Sequence, residues 1–364
     1  MFRIMVWPLL AALFASACVA APPAQKPRPK AIAAAPRLPV VPLPPAEDPP
    51  PPRQPQAAPL AMVEGIRALW AGYPDRAGIA VVRENANWEI AYRGGEPMPQ
   101  QSVSKLWVAI ALMDAVDAGT LRLSDSVTVR PSDLTVFSNA MNAKVGTTGY
   151  TTTLRELLSL AMLRSDNTAN DVLLRRVGGP AAIRAMISAK GLGAIRFGPG
   201  EHLLQSGTAG LTWSESYRTG RGFQAARALL SEETRRRAMD AYTANPPDGA
   251  APLAIAKALI RLWRGELLSQ SSTRHLLGLM EASETGKARL RGGVPPGWRL
   301  MHKTGTGQDL KGRTAGYNDV SLMIAPDGTA YAVVVMIADT TRPIPRRQEL
   351  MQGVAATVTA NHFQ

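Results

Sequence analysis

Ser102-Val103-Ser104-Lys105 leads directly into the apolar run LWVAIALM at residues 106–113, and together they predict a buried helix from Ser102 to about Asp117. Ser102 and Lys105 are three residues apart, so on a helix they lie on one face, one turn from each other. A serine hydroxyl is a poor nucleophile until a base removes its proton, and this spacing brings an amine within its reach. No other lysine of the chain has a serine three positions before it. Taken alone, the pair also fits a solvated helix face without chemistry.

Two further short motifs follow along the chain, Ser165-Asp166-Asn167 and Lys303-Thr304-Gly305. The first also fits a helix N-cap, since Ser, Asp and Asn all favour that position. The second also fits a turn at the end of a strand. The joint occurrence of all three motifs is harder to explain by chance. They add a second hydroxyl, an amide and a second ammonium group, which are the components that acyl transfer requires.

The three motifs, in this order, resemble the motif set of class A β-lactamases and penicillin-binding proteins. The stretch LRELLSLAMLRSDNTANDVLL at residues 154–174 is similar to the helix pair around the second motif of class A β-lactamases. PPGW at residues 295–298, which leads into HKTGTG at residues 302–307, is similar to that family's approach to the third motif. The resemblance covers most of the chain from about residue 61 to its end, and it implies a class A β-lactamase-like serine hydrolase.

The distribution of strand and helix patterns predicts an α+β fold. Predicted strands lie near the start of this region, at 78–83 and 88–92, and near its end, at 298–304, 314–324 and 331–337. This order predicts one antiparallel sheet built from N- and C-terminal strands and flanked by helices, plus an all-helical lobe at about residues 125–290. The resemblance implies the β-lactamase/transpeptidase-like form of this fold, a three-layer α/β/α sandwich.

The first sixty residues predict export and a tether. Residues 1–20 have an early positive charge, an apolar run and a small-residue cleavage pattern, which is typical of a signal peptide. Cys18, the only cysteine, stands where a lipoprotein would be acylated, and ASAC at 15–18 resembles a lipobox without its usual leucine. A cysteine inside a discarded signal peptide is the alternative. Residues 21–60 are rich in Pro and Ala and predict an extended linker, and residues 61–364 are predicted to be the catalytic domain. We therefore expect a periplasmic protein whose only membrane contact is its signal peptide or a lipid anchor.

The formal net charge of the chain is +13. Nucleic acid is the first partner that such a charge suggests, but no basic repeat with interleaved aromatic residues supports it. A cationic exported protein near anionic envelope polymers such as peptidoglycan, with carboxylate-bearing substrates, fits the charge as well. The chain has four histidines without a His-x-x-x-His pair and has no cysteine cluster, so we expect neither a metal nor a cofactor. We expect a monomer.

The resemblance implies roles for two residues in each of the first two motifs. Ser102 is the nucleophile, and Lys105 holds or takes its proton. A lysine does this only where burial or a nearby positive charge lowers its pKa, and Lys303 is the candidate neighbour. Ser165 relays a proton to the leaving nitrogen, and Asn167 orients Lys105 and the substrate amide.

The resemblance also implies a binding role for the third motif. Thr304 and Thr306 hydrogen-bond the substrate carboxylate beside Lys303, with Gly305 between them. The backbone amides of Ser102 and Thr306 form the oxyanion hole, in which each donor is worth about 2.7–4 kcal/mol of the activation barrier.

Glu201 is the candidate base for hydrolysis of an acyl-enzyme, because a carboxylate is the natural group to activate a water. Class A β-lactamases carry such a glutamate after the second motif, and Gln205 stands where they usually have an asparagine that helps to hold the water. The alternative is an ordinary surface glutamate after the glycine-rich stretch 198–200.

Several positions depart from that family's pattern. The Arg and Asp that normally pin the glutamate's loop have no clear counterparts, because Pro199 lies near the Arg position, and residues 206–249 enlarge the region. The usual carboxylate-binding Arg falls near Asn318, so Arg313 is the candidate substitute. Phe137 lies where the family has an aromatic residue at the mouth of the site, although a core phenylalanine in a turn is the alternative.

Three functions are compatible with these residues. The first is a β-lactamase that hydrolyses penicillins or cephalosporins through an acyl-Ser102 intermediate. The second is a penicillin-binding D,D-peptidase or esterase with the same acylation machinery. The third is a non-hydrolysing wall-binding or sensor domain that stays acylated. The three functions share the acylation of Ser102 and differ in deacylation, which depends on Glu201 and Gln205.

Overall fold

The computed structural model describes residues 57–86, 88–218 and 221–362, all within one compact unit. The predicted signal peptide, Cys18 and almost all of the predicted linker lie outside these described residues. Within the described ranges, no helix combines the length and the apolar character that a membrane crossing requires.

The central element is a five-stranded antiparallel sheet with the strand order β2-β1-β11-β10-β7. The strands are β1 (Arg76–Arg83), β2 (Glu89–Tyr92), β3 (Met98–Pro99), β4 (Ser126–Val129), β5 (Tyr150–Thr153), β6 (Gly249–Ala250), β7 (Arg299–Thr306), β8 (Asp309–Leu310), β9 (Arg313–Thr314), β10 (Tyr317–Ile324) and β11 (Ala330–Asp339). The predicted α+β fold, with one antiparallel sheet formed from strands of both ends, is confirmed.

Helices cover both faces of this sheet. They are α1 (Leu60–Ala71), α2 (Lys105–Asp117), α3 (Asn139–Asn142), α4 (Leu154–Leu163), α5 (Asn167–Arg176), α6 (Gly179–Ala189), α7 (Glu201–Ala209), α8 (Arg221–Leu229), α9 (Glu232–Ala244), α10 (Pro252–Trp263), α11 (Gln270–Glu281) and α12 (Ile344–Ala360). Short 3-10 turns cover Gln101–Ser104, Pro131–Asp133, Glu215–Tyr217 and Leu290–Gly293.

The side chains of β11 divide between two hydrophobic cores. Val334 and Met336 belong to the core that contains α2, α4 and α10, while Val333 and Val335 belong to the core of α1 and α12. Successive side chains of a strand point to opposite faces, so a strand covered on both sides is apolar throughout. This arrangement gives the three layers that the resemblance implied.

The helix predicted from Ser102 is present, with a 3-10 turn at Gln101–Ser104 running into α2. Its apolar run is buried because α2 lies inside the larger core, and the indole of Trp107 donates to Gln100 Oε1 over 2.6 Å. Lys105, the first residue of α2, is therefore carried into the interior.

The predicted lobe at about residues 125–290 is not wholly helical. β4 and β5 pair with each other before α4 begins. Thr and Val predominate in both strands, and such β-branched residues favour extended backbone. The helices α7 and α8 were missed from the sequence, since each is a short helix next to glycine residues.

Candidate active site

Ser102, Lys105 and Glu201 form one connected group in the interior. Lys105 Nζ donates to Ser102 Oγ over 3.0 Å and forms an ion pair with the carboxylate of Glu201. The side chains of Lys105 and Glu201 are both buried. The ammonium group therefore joins the proposed nucleophile to the proposed base.

The second motif brings another hydroxyl to this group. Lys303 Nζ donates to Ser165 Oγ over 2.9 Å. Lys303 is buried and lies within β7. Burial, and then the positive charge of Lys105, hold the pKa of Lys303 well below its usual range. Asp166 caps α5 by accepting from Ala169 N over 2.9 Å, which holds Ser165 at the helix start.

The third motif lies against the turn that carries the nucleophile. A Cβ on Gly305 would stand 2.3 Å from the carbonyl oxygen of Gln100, so only glycine allows this approach. The approach brings the backbone of Thr306 close to that of Ser102, which is compatible with a shared oxyanion hole. Thr304 Oγ1 shares a 2.8 Å hydrogen bond with Thr285 Oγ1.

Arg289, which the sequence did not reveal, supplies the arginine beside the third motif. Its guanidinium donates to the carbonyl oxygen of Gly305 over 3.0 Å and contacts Thr306 Oγ1. It also stacks 3.8 Å from the ring centroid of Tyr317. A cation held next to Thr306 is suited to a substrate carboxylate.

The prediction that Arg313 fills this place is wrong. Arg313 Nη1 bonds Asp240 over 2.5 Å, and its Nε bonds Asp339 over 2.8 Å. Arg313 does not line the cavity at Ser102, and it borders a separate depression with Asp75 and Arg76. Both acidic partners lie outside the catalytic group, so the guanidinium is held away from it.

Glu201 is buried, so it is not the ordinary surface glutamate that the alternative supposed. It begins α7, and Asp171 accepts from Glu201 N over 2.9 Å and from His202 N over 3.3 Å. A carboxylate at this end of a helix bonds unpaired amides and complements the helix dipole. Asp171 therefore anchors the segment where the family's usual pinning residues have no clear counterpart.

Gln205 lies one turn after Glu201 and joins three parts of the site. Its Nε2 donates to Glu201 Oε2 over 3.3 Å and to Gln101 Oε1 over 3.1 Å. Gln308 Nε2 in turn donates to the carbonyl oxygen of Gln205 over 2.7 Å and to its Oε1 over 3.1 Å. The base is thus tied both to the residue before the nucleophile and to the turn after the third motif.

Asp248 lies at the end of the enlarged segment 206–249. Asp248 is buried, and its carboxylate accepts hydrogen bonds from Gln101 N over 2.7 Å and from Tyr242 OH over 3.0 Å. Burial raises the pKa of Asp248 to about 6, against the lowering effect of the bonds from Gln101 and Tyr242. The carboxyl group holds the backbone immediately before Ser102.

These residues border an open cavity of about 510 Å³, which contains Ser102, Ser165 and Asn167 on its wall. Asn167 Nδ2 donates to the carbonyl oxygen of Val136 over 3.0 Å, which ties α5 to the segment before Phe137. Phe137 is 45% exposed and lines the cavity, so the alternative of a core phenylalanine is excluded.

The structure thus gathers all the predicted site residues except Arg313. It adds Arg289, Asp171, Gln101, Gln308 and Asp248, which sequence reasoning missed. Asp171 had a usable signal, because it lies four residues after Asn167 and so on the same face of a predicted helix. Arg289 had none, since no regular spacing relates it to the third motif.

Comparison with known proteins agrees with this geometry. The model of the β-lactamase enzyme family matches residues 61–362. The chain belongs to the β-lactamase enzyme family. It is similar to β-lactamase VEB-1 from Pseudomonas aeruginosa, with 23% identity over 79% of this chain and 85% of that protein. It is also similar to β-lactamase Toho-1 from Escherichia coli, with 26% identity over 81% of this chain and 87% of that protein.

A solved structure gives the same result at the level of the fold. A β-lactamase from Chitinophaga pinensis superimposes with a TM-score of 0.67 and 25% identity, covering 82% of this chain and 98% of the other. The resemblance to class A β-lactamases that the three motifs suggested is confirmed. In this β-lactamase-family chain, the described residues contain no group of three or more His, Cys, Asp or Glu side chains arranged to hold a metal ion.

Proposed function

We propose that this protein hydrolyses the amide bond of β-lactams, penicillins or cephalosporins, through an acyl-Ser102 intermediate that water cleaves with Glu201 as base. The family membership supports the reaction class. The buried contact between Lys105 and Glu201 is the observation that carries the complete reaction, because it links the base to the nucleophile.

Acylation begins at Ser102 Oγ, which attacks the lactam carbonyl carbon. Lys105 passes a proton to Glu201 and takes the hydroxyl proton, over the 3.0 Å bond that joins Lys105 to Ser102. The new Oγ–C bond forms as negative charge develops on the carbonyl oxygen. Preorganised backbone amides at Ser102 and Thr306 stabilise that charge.

The carbon–nitrogen bond then breaks, and the leaving nitrogen needs a proton. Ser165 donates its hydroxyl proton and is resupplied by Lys303 over 2.9 Å. The lowered pKa of Lys303 makes this donation easier, because burial disfavours the charged ammonium. Arg289, Thr304 and Thr306 meanwhile hold the substrate carboxylate, which fixes the ring in the cavity.

Deacylation requires a base that faces the ester. The proton that Glu201 accepted during acylation first replaces the one that Lys303 gave up, which restores the carboxylate. Glu201 then removes a proton from water, the hydroxide oxygen attacks the ester carbon, and the proton returns to Ser102 as the Oγ–C bond breaks. Gln205 holds the Glu201 carboxylate from its far side over 3.3 Å. A buried carboxylate is costly unless it is paired, so its place beside Lys105 favours a catalytic role over a merely acylated domain.

The test follows a chromogenic cephalosporin and the intact mass of the protein in parallel. We expect sustained turnover by the native protein and none by Ser102→Ala. Glu201→Gln should accumulate the acyl-enzyme mass, with deacylation slowed by about 10²–10⁴-fold. A single burst with a lasting adduct in the native protein would contradict hydrolysis and would favour a penicillin-binding role.

We further propose that the protein is exported to the periplasm through residues 1–20 and works there as a monomer near peptidoglycan. The export pattern and the +13 net charge support this location. A lipid anchor at Cys18 is the alternative. Intact mass of the mature chain from cell fractions separates the two, since only the anchored form would begin at an acylated Cys18 and lose its adduct in Cys18→Ala.

A further inference from the structure

Arg227 of α8 lines the same cavity as Ser102 and Arg289. It belongs to the enlarged segment 206–249. Its guanidinium donates to the backbone carbonyl oxygen of Asp309, just beyond the third motif. The helix α8 therefore contacts β8 and adds a cation to the cavity wall.

Arg227 has no carboxylate partner within salt-bridge distance among the residues that the structure describes. The charged residues on the cavity wall are Arg164, Arg227, Arg289 and Asp309. Arg164 pairs with Glu284, and the carboxylate of Asp309 accepts from Thr314. Arg227 is half-buried, and burial lowers its pKa. A partly desolvated guanidinium without an ion pair has unused capacity to bind an anion.

The two cations Arg227 and Arg289 of the cavity wall contact different residues. Arg289 contacts Thr306, whereas Arg227 contacts Asp309, three residues further along the chain. In the proposed function the substrate carboxylate binds Arg289 and the third motif, which leaves Arg227 for a second anionic group on the same molecule.

The wall near Arg227 also offers an aromatic surface. The exposed ring of Phe137 stacks edge-to-face on Phe223 of α8, with ring centroids 5.7 Å apart. Tyr217 and Trp213 continue this aromatic cluster behind Phe223. The same inserted segment therefore supplies the cation and supports the ring that flanks it.

We propose that Arg227 is a specificity-determining residue that binds an anionic group on the acyl side chain of the substrate, so that the cavity favours dianionic β-lactams over monoanionic ones. This inference rests on the proposed function only in that the substrate is a β-lactam. The bonds made and broken are those of acylation at Ser102, and Arg227 contributes binding alone.

The test compares benzylpenicillin with α-carboxybenzylpenicillin, which differ by one side-chain carboxylate. The second-order rate constant for acylation of Ser102, read by quenched-flow mass spectrometry, is defined whether or not the acyl group is later hydrolysed. The readout is the ratio of the dianion's rate constant to the monoanion's. We expect Arg227→Gln to lower that ratio by about tenfold or more, because a charge-assisted bond to the second carboxylate is lost.

Three further variants separate charge from structure. Arg227→Lys should retain part of the preference, since it keeps the charge without the planar fork. Asp309→Asn should raise the ratio, because it removes the negative charge nearest to Arg227. Arg237→Gln is the matched control, an exposed arginine of α9 with the same change of charge, and it should leave the ratio unchanged.

Separate outcomes overturn the inference and the proposed function. An unchanged ratio in a folded Arg227→Gln, or an equal loss for both penicillins, would show that Arg227 only holds the turn at Asp309. Acylation without hydrolysis in the native protein would contradict the proposed function and leave the ratio measurable. Acylation by neither penicillin would overturn both.

Discussion

Three non-glycine residues around the cavity have left-handed backbone: Gln101 at φ 53°, Phe137 at φ 60° and Ser165 at φ 58°. Non-glycine residues adopt this region rarely, at a cost of about 1–3 kcal/mol each. Each of the three makes contacts that hold it in place. Gln101, for instance, donates to Asp248 through its backbone and to Tyr242 through its side chain. The strain places Ser165 and the residue before Ser102 where the catalytic group needs them.

Arg289 and Arg313 allow a direct comparison of two buried or partly buried arginines. We expect Arg289→Gln to raise KM for penicillins by about ten- to hundredfold, because it removes a charge-assisted bond to the substrate carboxylate worth about 1.5–3 kcal/mol. Steady-state kinetics measures this effect. A KM within twofold of the native value would contradict the assignment of Arg289.

Arg313→Gln is the control for that experiment. Its pairs with Asp240 and Asp339 are partly exposed, so their loss should lower the free energy of unfolding by about 0.2–1 kcal/mol and leave KM unchanged. Urea unfolding and the same kinetic assay test both statements.

At the scale of the element, α7 depends on a cap from another helix. Its N-cap residue is Gly200, which has no side chain to offer, and the carboxylate of Asp171 in α5 bonds the first amides instead. α5 and α7 are therefore coupled where the second motif and the proposed base meet. His202 Nδ1 adds a third contact with Asp171, at 3.1 Å.

Asp171→Ala should slow deacylation more than acylation. Loss of a cap costs about 0.5–2 kcal/mol of stability, and a displacement of Glu201 by about 1 Å costs about 10²-fold in rate. Intact mass during turnover should then reveal acyl-enzyme that the native protein does not accumulate. Deacylation at the native rate in a folded Asp171→Ala variant would mean that α7 is held by its packing alone and that Asp171 does not position the base.

At the scale of the molecule, α7 and the enlarged segment 206–249 contact the turn after the third motif. Lys311 contacts Glu232, Arg313 pairs with Asp240, and Gln308 bonds Gln205. A small apolar cluster joins the same two regions: Leu204, Met239, Tyr242, Leu310 and Ala315. Residues far apart in the chain thus form both walls of one cavity, and Tyr242 and Asp248 connect them to the nucleophile.

The buried Asp248 predicts a specific dependence of stability on pH. Its pKa is about 6 in the folded chain, because burial disfavours the carboxylate, and about 3.9 when unfolded. Between about pH 4 and pH 6 the folded chain retains a proton that the unfolded chain has released. The free energy of unfolding should therefore fall as pH rises through that window, by about 1–3 kcal/mol from this group.

Asp248→Asn removes this titration while keeping an oxygen for the Gln101 amide. The free energy of unfolding of the variant, minus that of the native protein, should increase by about 1–3 kcal/mol between pH 4 and pH 7. Urea unfolding at pH 4, 5, 6 and 7 measures the difference, in which other titrating groups cancel. A difference that is the same at every pH would contradict the raised pKa.

Much of this site could be predicted because several of its residues belong to short sequence motifs. Ser102 and Lys105 are one helical turn apart, and helix geometry alone brings an amine to a hydroxyl. The strand β11 could be predicted for a similar reason, since it is buried on both faces and is almost continuously apolar.

By itself, then, the sequence determined the α+β class, the order of the motifs and the residues proposed for acylation, because spacing and hydrophobic periodicity are local properties. Only the tertiary structure decided that Arg289 rather than Arg313 stands beside Thr306, that Asp171 anchors Glu201, and that Asp248 holds the backbone before Ser102. These contacts join residues that are 17, 30 and 147 positions apart. No local period encodes such pairs, because they exist only once packing has brought the separate elements together.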